Sequence, residues 1–204
     1  MKTFDERARG WDSDPAHVER AVTVAGDLRE AIPLSTTMNA LEYGCGTGLL
    51  SFALRTELGS ITLADTSQGM LDVLKEKIVS AGLTNMSPLR LDLVTDPLPS
   101  ERYDVIYSLM TLHHIPNYKK VLHGFYHLLK PGGYLCVADL DAEDGTFHSE
   151  GFDGHNGFDR ALLKKHVETI GFMNVQFSET YTVHKTINSA DKAFPMFLMS
   201  AEKS

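Results

Sequence analysis

Ten consecutive residues constrain this chain more than any others: Leu41-Glu42-Tyr43-Gly44-Cys45-Gly46-Thr47-Gly48-Leu49-Leu50. Three glycines at alternate positions follow an apolar strand-like run and precede a run with helical spacing. Glycine at every second position lets the backbone turn sharply and lets a ligand approach it with no Cβ in the way. The helix that follows offers unpaired N–H groups at its start. Asp65 lies 21 residues beyond Gly44, at the end of a second apolar run, Ile61-Thr62-Leu63-Ala64. An acid about 20 residues past such a turn is placed to accept hydrogen bonds from a ribose diol. The spacing therefore implies a cofactor that contains adenosine.

Two residues narrow the choice of cofactor. Leu49 stands where the third glycine of the dinucleotide pattern G-x-G-x-x-G belongs, and Glu42 sits two residues before the first glycine. A carboxylate there repels a diphosphate and suits a positively charged ligand group. Glu42-Tyr43-Gly44-Cys45-Gly46-Thr47-Gly48 resembles the first motif of the class I S-adenosylmethionine-dependent methyltransferases. Later segments resemble that family in its order: Ile61 to Asp65 with Thr66-Ser67-Gln68-Gly69-Met70-Leu71, Pro88-Leu89-Arg90-Leu91-Asp92-Leu93, Tyr103 to Ser108 with Leu112-His113-His114-Ile115, and Leu128 to Leu135. The match is detailed from about Thr37 to Asp139 and holds in outline beyond.

The resemblance implies a Rossmann-like, doubly wound α/β fold in a single domain, with a seven-stranded sheet of order 3-2-1-4-5-7-6 whose last strand is antiparallel. It implies S-adenosyl-L-methionine as cofactor, S-adenosyl-L-homocysteine as product, and methyl transfer by in-line displacement. The residues expected at the cofactor are Glu42, Gly44, Cys45, Gly46, Gly48, Asp65, Thr66, Met70, Asp92, Leu93 and Ser108. Asp92 is there as the acid that meets the adenine amino group, although an acid before Asp96-Pro97 also suits a turn. The family often folds its N-terminal segment over the cofactor, a part open here to Phe4, Trp11 and Asp12. A small-molecule acceptor is expected from similarity to the ubiquinone/menaquinone type. Two alternatives stay open: a non-catalytic S-adenosylmethionine-binding protein of the same fold, and an NAD(P)-dependent oxidoreductase, which the missing third glycine opposes.

Strand-like and helix-like runs alternate, which implies βαβ crossovers and a mostly parallel sheet. Residues 1–36 read as an N-terminal helical cap, with a helix over Pro15–Ile32 whose stripe is Val18, Ala21, Val22, Ala25, Leu28 and Ile32. Residues 37–140 read as the cofactor-binding core, with helices over Leu49–Leu58, Gln68–Ser80 and Asn117–Leu129, and a strand over Tyr134–Ala138 after Pro131-Gly132-Gly133. Residues 141–158 lack periodicity and mix glycines with Phe147, His148, Phe152 and His155, the pattern of a lid or substrate loop. Residues 159–204 read as a helix and an antiparallel pair of strands, Phe172–Val183 and Ala193–Ala201.

Composition excludes some functions. A net charge of −8 disfavours a nucleic-acid partner. No window carries the ~20 apolar residues of a membrane span, and the charged first segment lacks a signal-peptide core. Cys45 and Cys136 do not make a disulfide framework, so a cytoplasmic location is expected. The oligomeric state, monomer or homodimer, is open. Among the histidines, His113 and His114 after the fourth strand are weak catalytic candidates, and His148 and His155 weaker ones. His123 and His127 share a helix face but lack a third ligand, so no metal is expected.

Overall fold

The computed structural model describes residues 3–204; Met1 and Lys2, at the start of the cap segment, lie outside the described residues. The chain opens with a short helix α1 (Phe4–Arg7), a 3-10 turn (Ala8–Ser13) and α2 (Pro15–Ala31). Then follow β1 (Asn39–Tyr43), α3 (Leu49–Leu54), β2 (Ser60–Asp65), α4 (Gln68–Ser80), β3 (Met86–Arg90) and β4 (Tyr103–Leu109). After a 3-10 turn (Leu112–His114) come α5 (Tyr118–Leu128), β5 (Leu129–Leu140), α6 (Arg160–Ile170), β6 (Phe172–Ile187) and β7 (Ala190–Lys203). The strands form one sheet of order β3-β2-β1-β4-β5-β7-β6. All neighbours are parallel except β7, which runs antiparallel to both β5 and β6.

Local chemistry sets the helix starts. Asp14 accepts the Ala16 N–H ahead of Pro15, Ser67 accepts the Met70 N–H, and Asp159 accepts the Leu162 N–H; each satisfies one of the N–H groups a helix leaves unpaired. Both sheet faces are buried. Alternation along the strands sends Val105, Tyr107, Cys136 and Ala138 to one core with α2, α3 and α4, and Ile106, Leu135 and Val137 to the other with α5 and α6.

The structure corrects the sequence expectations at several edges. In α2 the expected stripe is partly wrong: Val18 and Val22 are exposed and Val24 joins Ala21, Ala25 and Leu28 in the core. The helix after the glycine turn stops at Leu54, four residues early. β5 begins at Leu129, so Pro131-Gly132-Gly133 lies inside the strand, where the pairing shifts register between Tyr103 and Val105. Gly132 takes the left-handed conformation there (φ 74°). β6 and β7 are longer than expected because Asn188 and Ser189, at φ 50° and 65°, close them into a hairpin by a two-residue turn of the kind that matches strand twist.

β1 pairs with β2 on one side and β4 on the other, which makes its carboxyl end the point where strand order reverses. Open α/β sheets place ligands in that crevice.

Candidate functional site

The glycine turn sits at this crevice with the N–H groups of its first three residues already used. Gly44 N and Cys45 N both donate to Ala64 O, at 2.8 and 3.0 Å, and Gly46 N donates to Asp65 Oδ2 at 2.7 Å. Gly44, Gly46 and Gly48 all have positive φ, at 73°, 53° and 82°. Their surroundings differ. A Cβ on Gly44 would lie 2.2 Å from the Thr111 side chain, whereas one on Gly46 would meet only Met70 Sδ, at 3.9 Å. Gly44 is thus closed by Thr111, and Gly46 presents the bare backbone face.

Asp65 ends β2 beside that face. Oδ1 accepts the Ser67 N–H at 2.8 Å while Oδ2 takes Gly46 N. A carboxylate has about four lone-pair sites, so both oxygens keep acceptor capacity for a diol. Burial pushes the Asp65 pKa up, against the pull of those N–H groups. Thr66 follows it on the surface, and Met70 is buried one turn into α4.

Glu42 works from behind the turn. It is 2 % exposed, and Oε2 accepts the Ser51 N–H at 3.2 Å and the Ser51 hydroxyl, which also lies 2.7 Å from Tyr107 Oη. Burial pushes its pKa up to about 8, with the Ser51 hydrogen bonds acting against it. The carboxyl group thus anchors the first turn of α3 from the core side through Oε2. Ser108 is also a fastener: its Oγ donates to Tyr43 O at 2.9 Å. Leu93 is buried, and its N–H donates to Tyr43 Oη at 3.1 Å, tying the β3 exit to β1. Asp92 is engaged in its own turn, accepting from Val94 N at 2.8 Å and Thr95 Oγ1 at 3.0 Å. Cys45 is buried, and burial holds its thiol well above the ordinary pKa.

The N-terminal segment lies across this site. Asp5 Oδ1 accepts the Gly69 N–H at 2.8 Å and the Ser67 hydroxyl at 2.5 Å. Asp12 accepts from Thr47 Oγ1 and, through Oδ2, pairs with Lys77 Nζ at 2.6 Å; Lys77 also donates to Thr47 O at 2.8 Å. Phe4 sets its ring edge-on to His114, with centroids 5.3 Å apart. Trp11 instead stacks on His17 at 4.2 Å, anchoring the cover to α2. Asp5, Thr111 and Lys77 were not singled out in the sequence; nothing in local spacing connects them to residues tens of positions away.

The histidines group differently from expectation. His123 and His127 are exposed on α5. His113, His114 and His148 come together, with ring centroids 4.1 to 5.1 Å apart. His113 is fully buried, and its Nδ1 lies 2.5 Å from Asp139 Oδ1. Burial, then the proximity of His113, depresses the pKa of His114 to about 3 and that of His148 to about 4. His148 stacks on Phe152 at 3.7 Å, and His155 reaches Ile115 O and Pro116 O at 3.2 Å. The 141–158 loop has neither helix nor regular strand and is pinned at its base by an Asp141–Phe158 bridge and the Arg160–Asp141 ion pair at 2.6 Å.

Comparison with known proteins agrees with this fold. Residues 40–133 match a family described as a methyltransferase domain. The chain is 26 % identical over 167 residues to a demethylmenaquinone methyltransferase of Listeria monocytogenes, covering 80 % of this chain and 66 % of the relative, so it spans just under two thirds of that protein's length. Among solved structures, it resembles a SAM-dependent methyltransferase from Aquifex aeolicus (TM-score 0.66, 18 % identity, 94 % of this chain and 99 % of the other). It also resembles phosphoethanolamine N-methyltransferase 2 of Haemonchus contortus, solved with S-adenosyl-L-methionine (TM-score 0.72, 15 % identity, 100 % of this chain and 60 % of the other). At such identities the structural likeness speaks for the fold. No helix among the described residues is long and apolar enough to cross a membrane.

Proposed function

We propose that this chain, a member of the class I S-adenosylmethionine-dependent methyltransferase family, transfers a methyl group from S-adenosylmethionine to a small organic acceptor. The observation that carries the cofactor half is the pairing of Asp65 with Gly46, which sets a carboxylate with spare acceptor capacity beside an open backbone face. The fit to a sulfonium nucleoside is better than to a dinucleotide. A diphosphate needs free N–H groups at the glycine turn, and those of Gly44, Cys45 and Gly46 are all donated internally. Asp65 is assigned to the ribose, the Gly46 face and Met70 to the nucleoside and its tail, and Asp92 and Leu93 to the adenine edge.

When bound, S-adenosylmethionine supplies an already activated methyl carbon. What remains for the protein is alignment and exclusion of water, and alignment alone is worth roughly 7–11 kcal/mol in favourable cases. The cover formed by Asp5 and Asp12 holds the cofactor side closed, and Phe4, Phe152, His114 and His148 build an aromatic wall next to it. Aromatic faces suit a cationic methyl donor. His114 and His148 bind protons too weakly to serve as strong bases near neutrality, so their expected part is shaping and polarity. A wall between a cover and a loop supports a small acceptor, as does the demethylmenaquinone methyltransferase relative.

The test is a melting comparison followed by transfer. S-adenosylhomocysteine is expected to raise the melting temperature while NAD does not, and labelled methyl from S-adenosylmethionine is expected on a member of a panel of phenols, enols and amines. Stabilisation by NAD alone would remove the reading.

A further inference from the structure

Among the described residues, one set of metal-ligating side chains converges outside the glycine turn: His113, His114 and His148, with a nitrogen from each lying within 4.8 Å of the others. Two come from the turn after β4. The third is delivered by the 141–158 loop, 34 residues further along the chain.

His113 is prepared for a ligand rather than simply packed. Asp139, itself fully buried on β5, accepts from His113 Nδ1 at 2.5 Å and from His113 N at 3.3 Å, and it also takes the Leu140 N–H. This contact fixes the proton on Nδ1 and leaves Nε2 with a free lone pair, as carboxylates do for metal-bound histidines. His113 Nε2 is buried with no hydrogen-bond partner, and so is His148 Nε2. Buried polar atoms are ordinarily paired. Two orphaned imidazole nitrogens within one cluster point to something shared between them. An aromatic core needs no such pair, and no bare lone pair held by a buried carboxylate.

We propose that His113, His114 and His148 bind a divalent transition-metal ion, with Asp139 fixing the His113 tautomer and at least one coordination position left for an oxygen ligand. Imidazole donors suit zinc, iron, cobalt, nickel or copper rather than magnesium or calcium. Three protein ligands with an open position is the arrangement of a reactive rather than a purely structural site. On 2.0–2.1 Å bonds the three nitrogens stand roughly 3.3 Å apart, so the cluster tightens modestly on binding; His148, on a loop, is free to make that move. Arg7 and Lys185 lie near His114 and His148. Their charge opposes a bare dication and favours an anionic oxygen as the remaining ligand. Ion binding stands apart from methyl transfer; that this oxygen belongs to the methyl acceptor is a further step that rests on the proposed function.

The 204-residue chain, stripped with chelator, is titrated with Co²⁺ and followed by visible absorption, with Zn²⁺ as competitor. One Co²⁺ per chain is expected, displaced by Zn²⁺. His148→Ala, a change in a loop, is expected to weaken binding at least about tenfold, and Asp139→Asn by about 10–100-fold, the range for a carboxylate behind a ligand. His123→Ala/His127→Ala, at the exposed pair, is expected to bind as the parent does. No saturable Co²⁺ signal in the parent, undiminished affinity in His148→Ala, or loss in the His123/His127 variant would each overturn the site. Melting shifts with S-adenosylhomocysteine on the same samples report folding and the cofactor reading separately, so a sample that binds Co²⁺ without that shift keeps the metal site and loses the methyltransferase reading.

Discussion

Asp65 Oδ2 accepts the Gly46 N–H at 2.7 Å, so the acid that ends β2 holds the one glycine of the turn whose side-chain face is open. The same carboxylate is therefore both a brace for the turn and the proposed ribose acceptor, and changes to the turn and to its ligand are coupled through it.

The two neighbouring glycines are expected to separate folding from binding. Gly44→Ala places a Cβ 2.2 Å from Thr111 in a left-handed backbone, which adds a clash to a conformational cost of roughly 1–2 kcal/mol. Gly46→Ala meets only the conformational cost, yet it fills the bare face. Chemical denaturation is expected to show the larger destabilisation in Gly44→Ala, partly recovered by adding Thr111→Gly. Calorimetry is expected to show the loss of S-adenosylhomocysteine affinity in Gly46→Ala even where it folds well. Equal stabilities for the two single variants would refute the Thr111 contact.

Glu42 gives a pH signature. Its folded pKa is raised to about 8 from an ordinary 4.5. Between those values the folded state keeps a proton that the unfolded state releases, so this group makes stability fall as pH rises through that window. Glu42→Gln keeps an acceptor for Ser51 and cannot ionise. Melting temperatures measured from pH 5 to 9 are expected to fall less steeply for the variant, with the advantage largest near pH 8 and above. A parallel pair of curves would mean that Glu42 is ionised in the fold.

The N-terminal cover is expected to act on residence rather than on stability. Asp5→Ala/Asp12→Ala removes the bonds to Gly69, Ser67, Thr47 and Lys77, most of them partly exposed and individually modest. The expected outcome is a small change in melting temperature with a several-fold faster release of S-adenosylhomocysteine in stopped-flow experiments, as for loops that gate ligand exit. An unchanged release rate would separate the segment from the cofactor.

At the far end of the sheet, Ser189 holds φ 65° in the β6–β7 turn, where glycine is the preferred residue. Ser189→Gly is expected to stabilise the chain by up to about 1 kcal/mol, read as a shift in denaturation midpoint. A loss of stability would contradict the turn assignment.

What could be read from the residues and what could not divides along physical lines. The sheet order was implied by the family resemblance alone, whose motifs are local in sequence, and the antiparallel edge also by two final strands with no helix between them. α4 was legible to the residue because Ser67 caps it and Gly82 follows its end. The stripe of α2 was misjudged because the helix packs on α3 and also on β6 and β7, and the last two arrive more than a hundred residues later. Glu42 carries a charge on paper, but the hydroxyls of Ser51 and Tyr107 that let it stay buried belong to two other elements. His148 was the weaker histidine in a loop without periodicity; only the folded path of residues 141–158 sets it against His113.

Calorimetric titration of the 204-residue chain with S-adenosylhomocysteine and, separately, with NAD, repeated for Asp65→Ala, tests the cofactor site most directly. Saturable binding of S-adenosylhomocysteine by the parent is expected, with none of NAD and at least about a tenfold loss in the variant, equivalent to ~1.4 kcal/mol. Binding of NAD in place of S-adenosylhomocysteine, or an affinity unchanged by removal of the Asp65 carboxylate, would contradict that site.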